Sequence, residues 1–223
     1  MDSTFIARME QILALYALPY SEHYPVVCFD ERPCFLIGDS VAGLSMKAGT
    51  PARQHYAYQK NGSCALLMAI EPLTAKREAR VFDQRTKQEY ALFMKALAAR
   101  YPEAQKIRVI QDNLNTHSTS SFYEAFSAEE AFALSQRFEF YYTPKSASWL
   151  NMIEIEFSAL SKQCLNRRIP TKEELTKEVL TLVKEREEKA IKIDWQFSIE
   201  SARGKLNRHY REVNTDNAQY QKT

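Results

Sequence analysis

The stretch "VIQDNLNTHS", Val109 to Ser118, begins as an apolar run and then breaks into an acid, two asparagines, a threonine and a histidine. A strand covered on both faces reads as a short continuous apolar run, and its C-terminal end is where α/β sheets place ligands and chemistry. Asp112 stands at such an end. Taken alone it is equally a strand stop, because Asp and Asn bond their own backbone in turns. Further acids in matching positions decide between the two readings.

The first of these is Asp30, which ends the apolar run "VVCF" within "YPVVCFDERPCFLI" (Tyr24 to Ile37), a segment that reads as a strand or hairpin. On strand alternation Val26 and Cys28 share the face of Asp30, Ile110 shares that of Asp112, and Glu31 points the opposite way as a structural residue. If the two strands are neighbours, both carboxylates leave one face side by side. Like charges held close repel and push one pKa up, and a divalent cation relieves that.

The third acid lies in "WLNMIEIEFSALSKQC", expected as a helix capped by Ser148 with the stripe Ile153, Phe157, Leu160 and Cys164 facing the core. Glu154 shares a face with Asn151 and Ser158, aimed at the edge of the sheet. Glu156, turned about 200° away at roughly 100° per residue, is expected as a solvated charge. Few carboxylates and many oxygens suit Mg²⁺, which keeps waters and is completed by substrate phosphates. Two such ions about 3.5–4 Å apart serve in-line displacement at phosphorus.

Around these acids the chain opens with an amphipathic helix, Ser3 to Leu18, carrying Ile6, Met9, Leu13 and Tyr16 at helical spacing. "GTPARQHYAYQKNGS" (Gly49 to Ser63) is a polar connector with Asn61-Gly62 as a turn signal before the strand "CALLMAIEP". "KREARVFD" is its hairpin partner, with Asp83 a reserve acid. A helix from Thr86 to Arg100, a helical or irregular stretch from Ser118 to Gln136, the strand "FEFYYTP" and a last long helix from Thr171 complete the order. Antiparallel pairing first and crossovers after it predict an α/β fold, a mixed sheet flanked by helices.

Composition narrows the function. The 223 residues are 45% hydrophobic and 26% charged, as in a globular chain. Five glycines, with no G-x-G-x-x-G or G-x-x-x-x-G-K pattern, argue against nucleotide binding through a glycine loop. A net charge of +2 is a weak footprint for a protein that grips a polyanion unaided. Locally, Tyr142 to Lys172 holds five basic residues against Glu154 and Glu156, and Arg203, Lys205, Arg208 and Arg211 form a second basic run. Taken alone, either run reads more readily as a solvated helix face. The four cysteines are too irregularly spaced for a zinc cluster and read as reduced core residues of a cytoplasmic protein. No apolar run approaches a membrane span.

"VVCFDERP", "VIQDNLNTH" and "YYTPKSASWLNMIEIEFSAL", in this order, resemble the blocks of DDE transposases of the mariner superfamily, in particular its bacterial insertion-sequence branch (the IS-six-thirty type). The resemblance runs from about Tyr24 to Arg168. It implies a ribonuclease H-like catalytic domain over residues 23–190, with residues 1–22 as a linker helix and 191–223 as a basic C-terminal tail. It further implies Asp30, Asp112 and Glu154 as catalytic ligands of a two-metal Mg²⁺ or Mn²⁺ site, which cleaves transposon ends and joins the freed 3′-hydroxyl to target DNA.

Two departures stand out. The 41 residues between Asp112 and Glu154 exceed the commonest family spacing, with the extra length expected in Ser120 to Gln136. The family's N-terminal helix-turn-helix region is not in the chain, so the expectation is a catalytic fragment, the second frame of a split element or a decayed copy. Expected partners are transposon-end and target DNA, a second copy on DNA, and a separately encoded or frameshifted helix-turn-helix region. The competing functions are a ribonuclease H-like nuclease without strand transfer and a non-catalytic regulatory remnant. Lys145, Lys162, Arg167 and Arg168 are candidate phosphate contacts. Trp149 and Tyr142 are candidates for base stacking or for anchoring the helix start, and His117 for a phosphate or metal-water contact or a loop bond to backbone.

Overall fold

The computed structural model describes residues 1–44, 46–49, 51 and 55–219; residues 50 and 52–54 of the polar connector lie outside the described residues. Among the described residues, five strands form one sheet in the order β3-β2-β1-β4-β5. β1 (Val26–Asp39), β2 (Tyr58–Ile70) and β3 (Arg77–Phe82) pair antiparallel. β4 (Ile107–Gln111) and β5 (Phe138–Tyr142) join parallel to β1 and to each other. The reading of a mixed sheet with hairpins first and crossovers after therefore describes the molecule.

Strand alternation sends side chains to two cores. Val27, Phe29, Leu67 and Val109 face α2 (Lys87–Ala99), α3 (Ser120–Ala125) and α4 (Ala128–Ser135), where they meet Tyr90, Phe93, Phe122 and Ala131. Cys28, Met68 and Ile110 face α5 (Ile153–Gln163) and α6 (Lys172–Glu188), packing with Ile153, Phe157, Leu160 and Val179. Thr86 and Glu89 close a capping box on α2, and Thr171 caps α6, so both helices begin where their polar residues satisfy free N–H groups. All four cysteines are free and buried. Among the described residues no helix is long and apolar enough to cross a membrane.

Of the two readings of Tyr24 to Ile37, the strand holds: Val26–Ile37 belong to β1, a single strand of 14 residues. Other local expectations are corrected. Asn61-Gly62 makes no turn. It sits inside β2 where the register with β1 shifts, and Gly62 takes φ +108°, the conformation that lets a bulge absorb an extra residue. Ser148 does not cap α5; Ser148–Leu150 form a separate 3₁₀ turn, and α5 starts after Met152 with no side-chain cap.

The two terminal segments pack together. α1 (Ser3–Tyr16) packs with α7 (Ile199–Lys205) and α8 (Asn207–Val213) around Met9, Leu13, Leu150, Ala202 and Tyr210. Glu10 receives a bidentate pair from Arg203, at 2.8 and 2.9 Å, and the Tyr210 hydroxyl at 2.6 Å. The Tyr16 hydroxyl then donates to the Leu150 carbonyl at 2.7 Å, which ties α1 to the approach to α5.

Glu156 is the largest departure. Its helical angle from Glu154 holds, but exposure is inverted: Glu154 is exposed, and Glu156 is 1% exposed. α5 has the sheet on one side and α6 on the other, so its second face is interior too. Arg77 of β3 and Arg186 of α6 each hold Glu156 through two bonds of 2.9–3.0 Å. Burial raises the carboxyl pKa, but the two guanidiniums outweigh it and keep the group below its ordinary value. Removing one partner of a buried ion pair costs about 3–5 kcal/mol, because the charge left behind is uncompensated. Glu156→Ala should therefore lose about that much unfolding free energy in urea titration, with Glu156→Gln losing less.

Candidate active site

β1 and β4 lie parallel with Cys28 opposite Ile110. Two residues further along the chain from this pair come Asp30, within β1, and Asp112, one residue past the end of β4, and both line the same cleft. The Asp30 pKa rises from 3.8 to about 7. Burial is the main cause. The Asp112 and Glu154 carboxylates add to it, while the Glu31 N–H, bonded to Asp30 Oδ1 at 2.8 Å, and His117 oppose it. Glu154, in the first turn of α5, is exposed and acts on Asp30 through charge.

A cleft of about 440 Å³ opens over the two aspartates. Its walls include Asn113, Thr143, Lys145, Ser148 and Asn151, together with Arg8 from α1; Glu154 lies outside this lining. Ser146, also in the wall, has φ +61°, a left-handed conformation uncommon for a residue with a side chain.

Asn151 is buried and its Nδ2 donates to the Phe29 carbonyl at 2.8 Å, one residue before Asp30. This bond fastens the start of α5 to the end of the apolar run in β1. A polar residue inside "WLNMI" was the available signal, and reading it only as a face-mate of Glu154 missed the bond.

On the opposite face of β1, Glu31 reaches His117. The His117 side chain is fully buried, with Nδ1 2.5 Å from Asp112 Oδ1 and Nε2 2.9 Å from Glu31 Oε2. Burial works against its protonation, yet the bonds and charges of Asp112 and Glu31 prevail and raise its pKa to about 9. The phosphate-contact reading of His117 is thereby corrected, since its ring has no surface to offer.

The remaining basic candidates separate into two groups. Lys145 stands in the cleft and Lys162 is exposed on α5. Arg167 pairs with Glu178 at 2.7 Å, while Arg168 pairs with Asp39 at 2.6 Å and donates to the Ala57 and Tyr56 carbonyls. Trp149 is 44% exposed and meets Phe197 edge-on, with centroids 5.6 Å apart. The Tyr142 hydroxyl donates to the His117 carbonyl. Asp83, on the far edge strand, pairs with Lys172 at 2.8 Å and takes no part in the cleft.

Among the described residues no three acidic, His or Cys side chains stand close enough to enclose an ion by themselves. The donor set nonetheless suits Mg²⁺ or Mn²⁺, since these ions are commonly held by one or two carboxylates with waters and substrate phosphates. Repulsion on Asp30 is the observation that favours a cation there.

Residues 25–176 match the family model described as DDE superfamily endonuclease. The chain belongs to this family. Among curated proteins no relative matches. Solved structures show the same fold: a Mos1 transposase paired-end complex with the left transposon end, at 14% identity and TM-score 0.55, covers 99% of this chain and 64% of its own. A Mos1 mariner paired-end complex with Mn, at 15% and 0.53, covers 99% and 64%, and the Mos1 strand transfer complex, at 12% and 0.54, covers 99% and 63%. The chain thus spans just under two thirds of these proteins. Its mixed five-stranded sheet and flanking helices are the architecture that it shares with these structures.

The Asn151 bond is testable in isolation. Asn151→Ala leaves the Phe29 carbonyl buried without its donor, and should cost about 1–3 kcal/mol in chemical denaturation.

Proposed function

We propose that this DDE endonuclease is a metal-dependent DNA transposase domain that cleaves phosphodiesters at transposon ends and joins the 3′-hydroxyl to target DNA. The observation that carries the proposal is the pair Asp30, in β1, and Asp112, directly after the adjacent parallel strand β4, lining one cleft, with Glu154 of α5 acting on Asp30. In this reading Asp30 and Asp112 hold Mg²⁺ or Mn²⁺ and Glu154 completes the set. The bound ions would supply charge stabilisation for the attacking and leaving oxygens. Asp112 presents its second oxygen to the cleft because Oδ1 is engaged by His117 and by the Leu114 N–H. Asn151 keeps Asp30 and α5 at fixed separation.

Support for DNA as the substrate comes from cation placement. Among the described residues neither Arg8 nor Lys145 is paired with an acid, and both line the aspartate cleft. A second hollow of about 580 Å³ shares Arg8, Pro144, Lys145 and Ser146 with the first, so the groove continues past the acids along α1. A phosphodiester strand entering this groove passes Asp2 and then Arg8 and Lys145, which line both hollows, before it reaches Asp30 and Asp112. A dimer on DNA, by analogy with the paired-end complexes of Mos1 transposase, and a helix-turn-helix region acting with this chain belong to the same proposal.

Two measurements test this reading. Nicking of supercoiled plasmid in Mn²⁺ should fall by about 10²-fold or more in Asp30→Asn and Asp112→Asn, the several kcal/mol a catalytic metal contributes. Joining of an oligonucleotide with an exposed 3′-hydroxyl to the plasmid separates a transposase from a nuclease that only cuts. Separately, each of Arg8→Gln and Lys145→Gln should reduce the slope of log K against log salt for duplex DNA by about 1, while leaving the fold intact.

A further inference from the structure

His117 and Glu31 form a chain of contacts that the proposed chemistry does not require in order to hold the fold, and that ends on one oxygen of Asp112. The ring of His117 is clamped: Tyr90 stacks on it with centroids 4.9 Å apart, and Phe29 meets it edge-on at 5.3 Å. Its backbone is fixed as well, the N–H bonded to the Leu114 carbonyl and the carbonyl accepting from Gln111 Nε2 and the Tyr142 hydroxyl. The imidazole therefore has one orientation available. In that orientation Nδ1 faces Asp112 Oδ1 and Nε2 faces Glu31 Oε2.

Glu31 is in turn held by position. It follows Asp30 in β1 and leaves the opposite face of the sheet; its side chain is 6% exposed, and its other oxygen accepts from Arg85 at 3.3 Å. Two neighbouring residues of one strand thus approach Asp112 from two sides, Asp30 across the sheet face and Glu31 through the imidazole. Asp112 is 38% exposed, so without this bond its carboxylate would rotate in the open mouth of the cleft. With Oδ1 bonded to both His117 and the Leu114 N–H, Oδ2 is the oxygen left to a ligand.

We infer that Glu31 and His117 are positioning residues for the metal site, fixing the rotation of the Asp112 carboxylate so that Oδ2 is presented to a divalent cation. The inference rests on the reading of Asp112 as a metal ligand. Bonds of this kind to the groups that hold a metal commonly contribute roughly 10- to 100-fold in affinity. A histidine serving only to fill the core between Tyr90 and Phe29 would contribute to folding stability and leave metal affinity unchanged.

The test is Mn²⁺ binding to the full chain, followed by calorimetry and by the loss of the free-ion electron paramagnetic resonance signal, alongside thermal unfolding without metal. His117→Gln should weaken Mn²⁺ binding roughly 10- to 100-fold. Glu31→Gln, which keeps an acceptor opposite Nε2, should stay within about threefold, and Glu31→Leu, which removes it, should weaken binding about tenfold. The Glu31 pair carries the test if His117→Gln fails to fold. Folded His117→Gln or Glu31→Leu with unmodified Mn²⁺ affinity overturns the inference. Asp112→Asn separates the two levels: if it leaves Mn²⁺ affinity unchanged, or if the unmodified chain binds no Mn²⁺, the metal-site reading falls and the inference falls with it. If Asp112→Asn abolishes binding while His117→Gln does not weaken it, only the positioning role is lost.

Discussion

The parallel pairing of β1 with β4 is the constraint on which the candidate site depends. Three residue pairs, ending at Cys28 opposite Ile110, fix the register. Side chains repeat every two residues, so a slip of one would exchange Val109 and Ile110 between the two cores and carry Asp112 out of step with Asp30. Register is held because both strands are buried on both faces: Val27 and Val109 belong to one core, Cys28 and Ile110 to the other. The repulsion between the aspartates is imposed by apolar packing, which is far larger in sum than the cost of one raised pKa.

The third carboxylate depends on a different set of contacts. α5 is not continuous with the 3₁₀ turn before it, and no side chain caps its start. Its position is set instead by Asn151 on the Phe29 carbonyl, by Ile153, Phe157 and Leu160 in the core, and by Glu156 between Arg77 and Arg186. Glu156 joins three elements, β3, α5 and α6, through one carboxylate. Such a buried ionic cluster contributes little to stability relative to an apolar replacement, but it has strong angular demands. A helix slid or rotated by one residue loses four hydrogen bonds at once, so Glu154 is held at its angle by the residue two places further along.

How far this was legible in the sequence follows from the range of each signal. Asp30 and Asp112 each close an apolar run with the same parity, and run length and parity are local properties. The hairpin-then-crossover order was legible for the same reason. Amphipathic spacing also placed Glu154 and Glu156 on opposing sides of α5, but spacing cannot say what covers the second side; α6, which follows later in the chain, does. The same limit applies to Asn61-Gly62, where a turn pair and a bulge pair have the same composition and only the partner strand distinguishes them. His117 and Glu31 are 86 residues apart, and no local pattern announces that contact. The basic run after residue 200, taken alone, reads as a solvated helix face because Glu10, which receives Arg203, lies at the other end of the chain.

These pairings also explain why a net charge near zero is a poor guide to where a polyanion is held. Arg77 and Arg186 are committed to Glu156, Arg167 to Glu178, Arg168 to Asp39, Arg203 to Glu10 and Lys172 to Asp83. Such cations are counted in the total, yet each already has a carboxylate at contact distance, and a phosphate would have to compete with it. Arg8 and Lys145 differ in having no acid partner among the described residues and in lining the cleft where the Asp112 and Glu154 carboxylates act on Asp30. On the proposed reading, the local field at the cleft therefore alternates, cations at the rim and carboxylates at the floor. A DNA strand is drawn to the first, and a divalent cation is what allows its phosphate to approach the second.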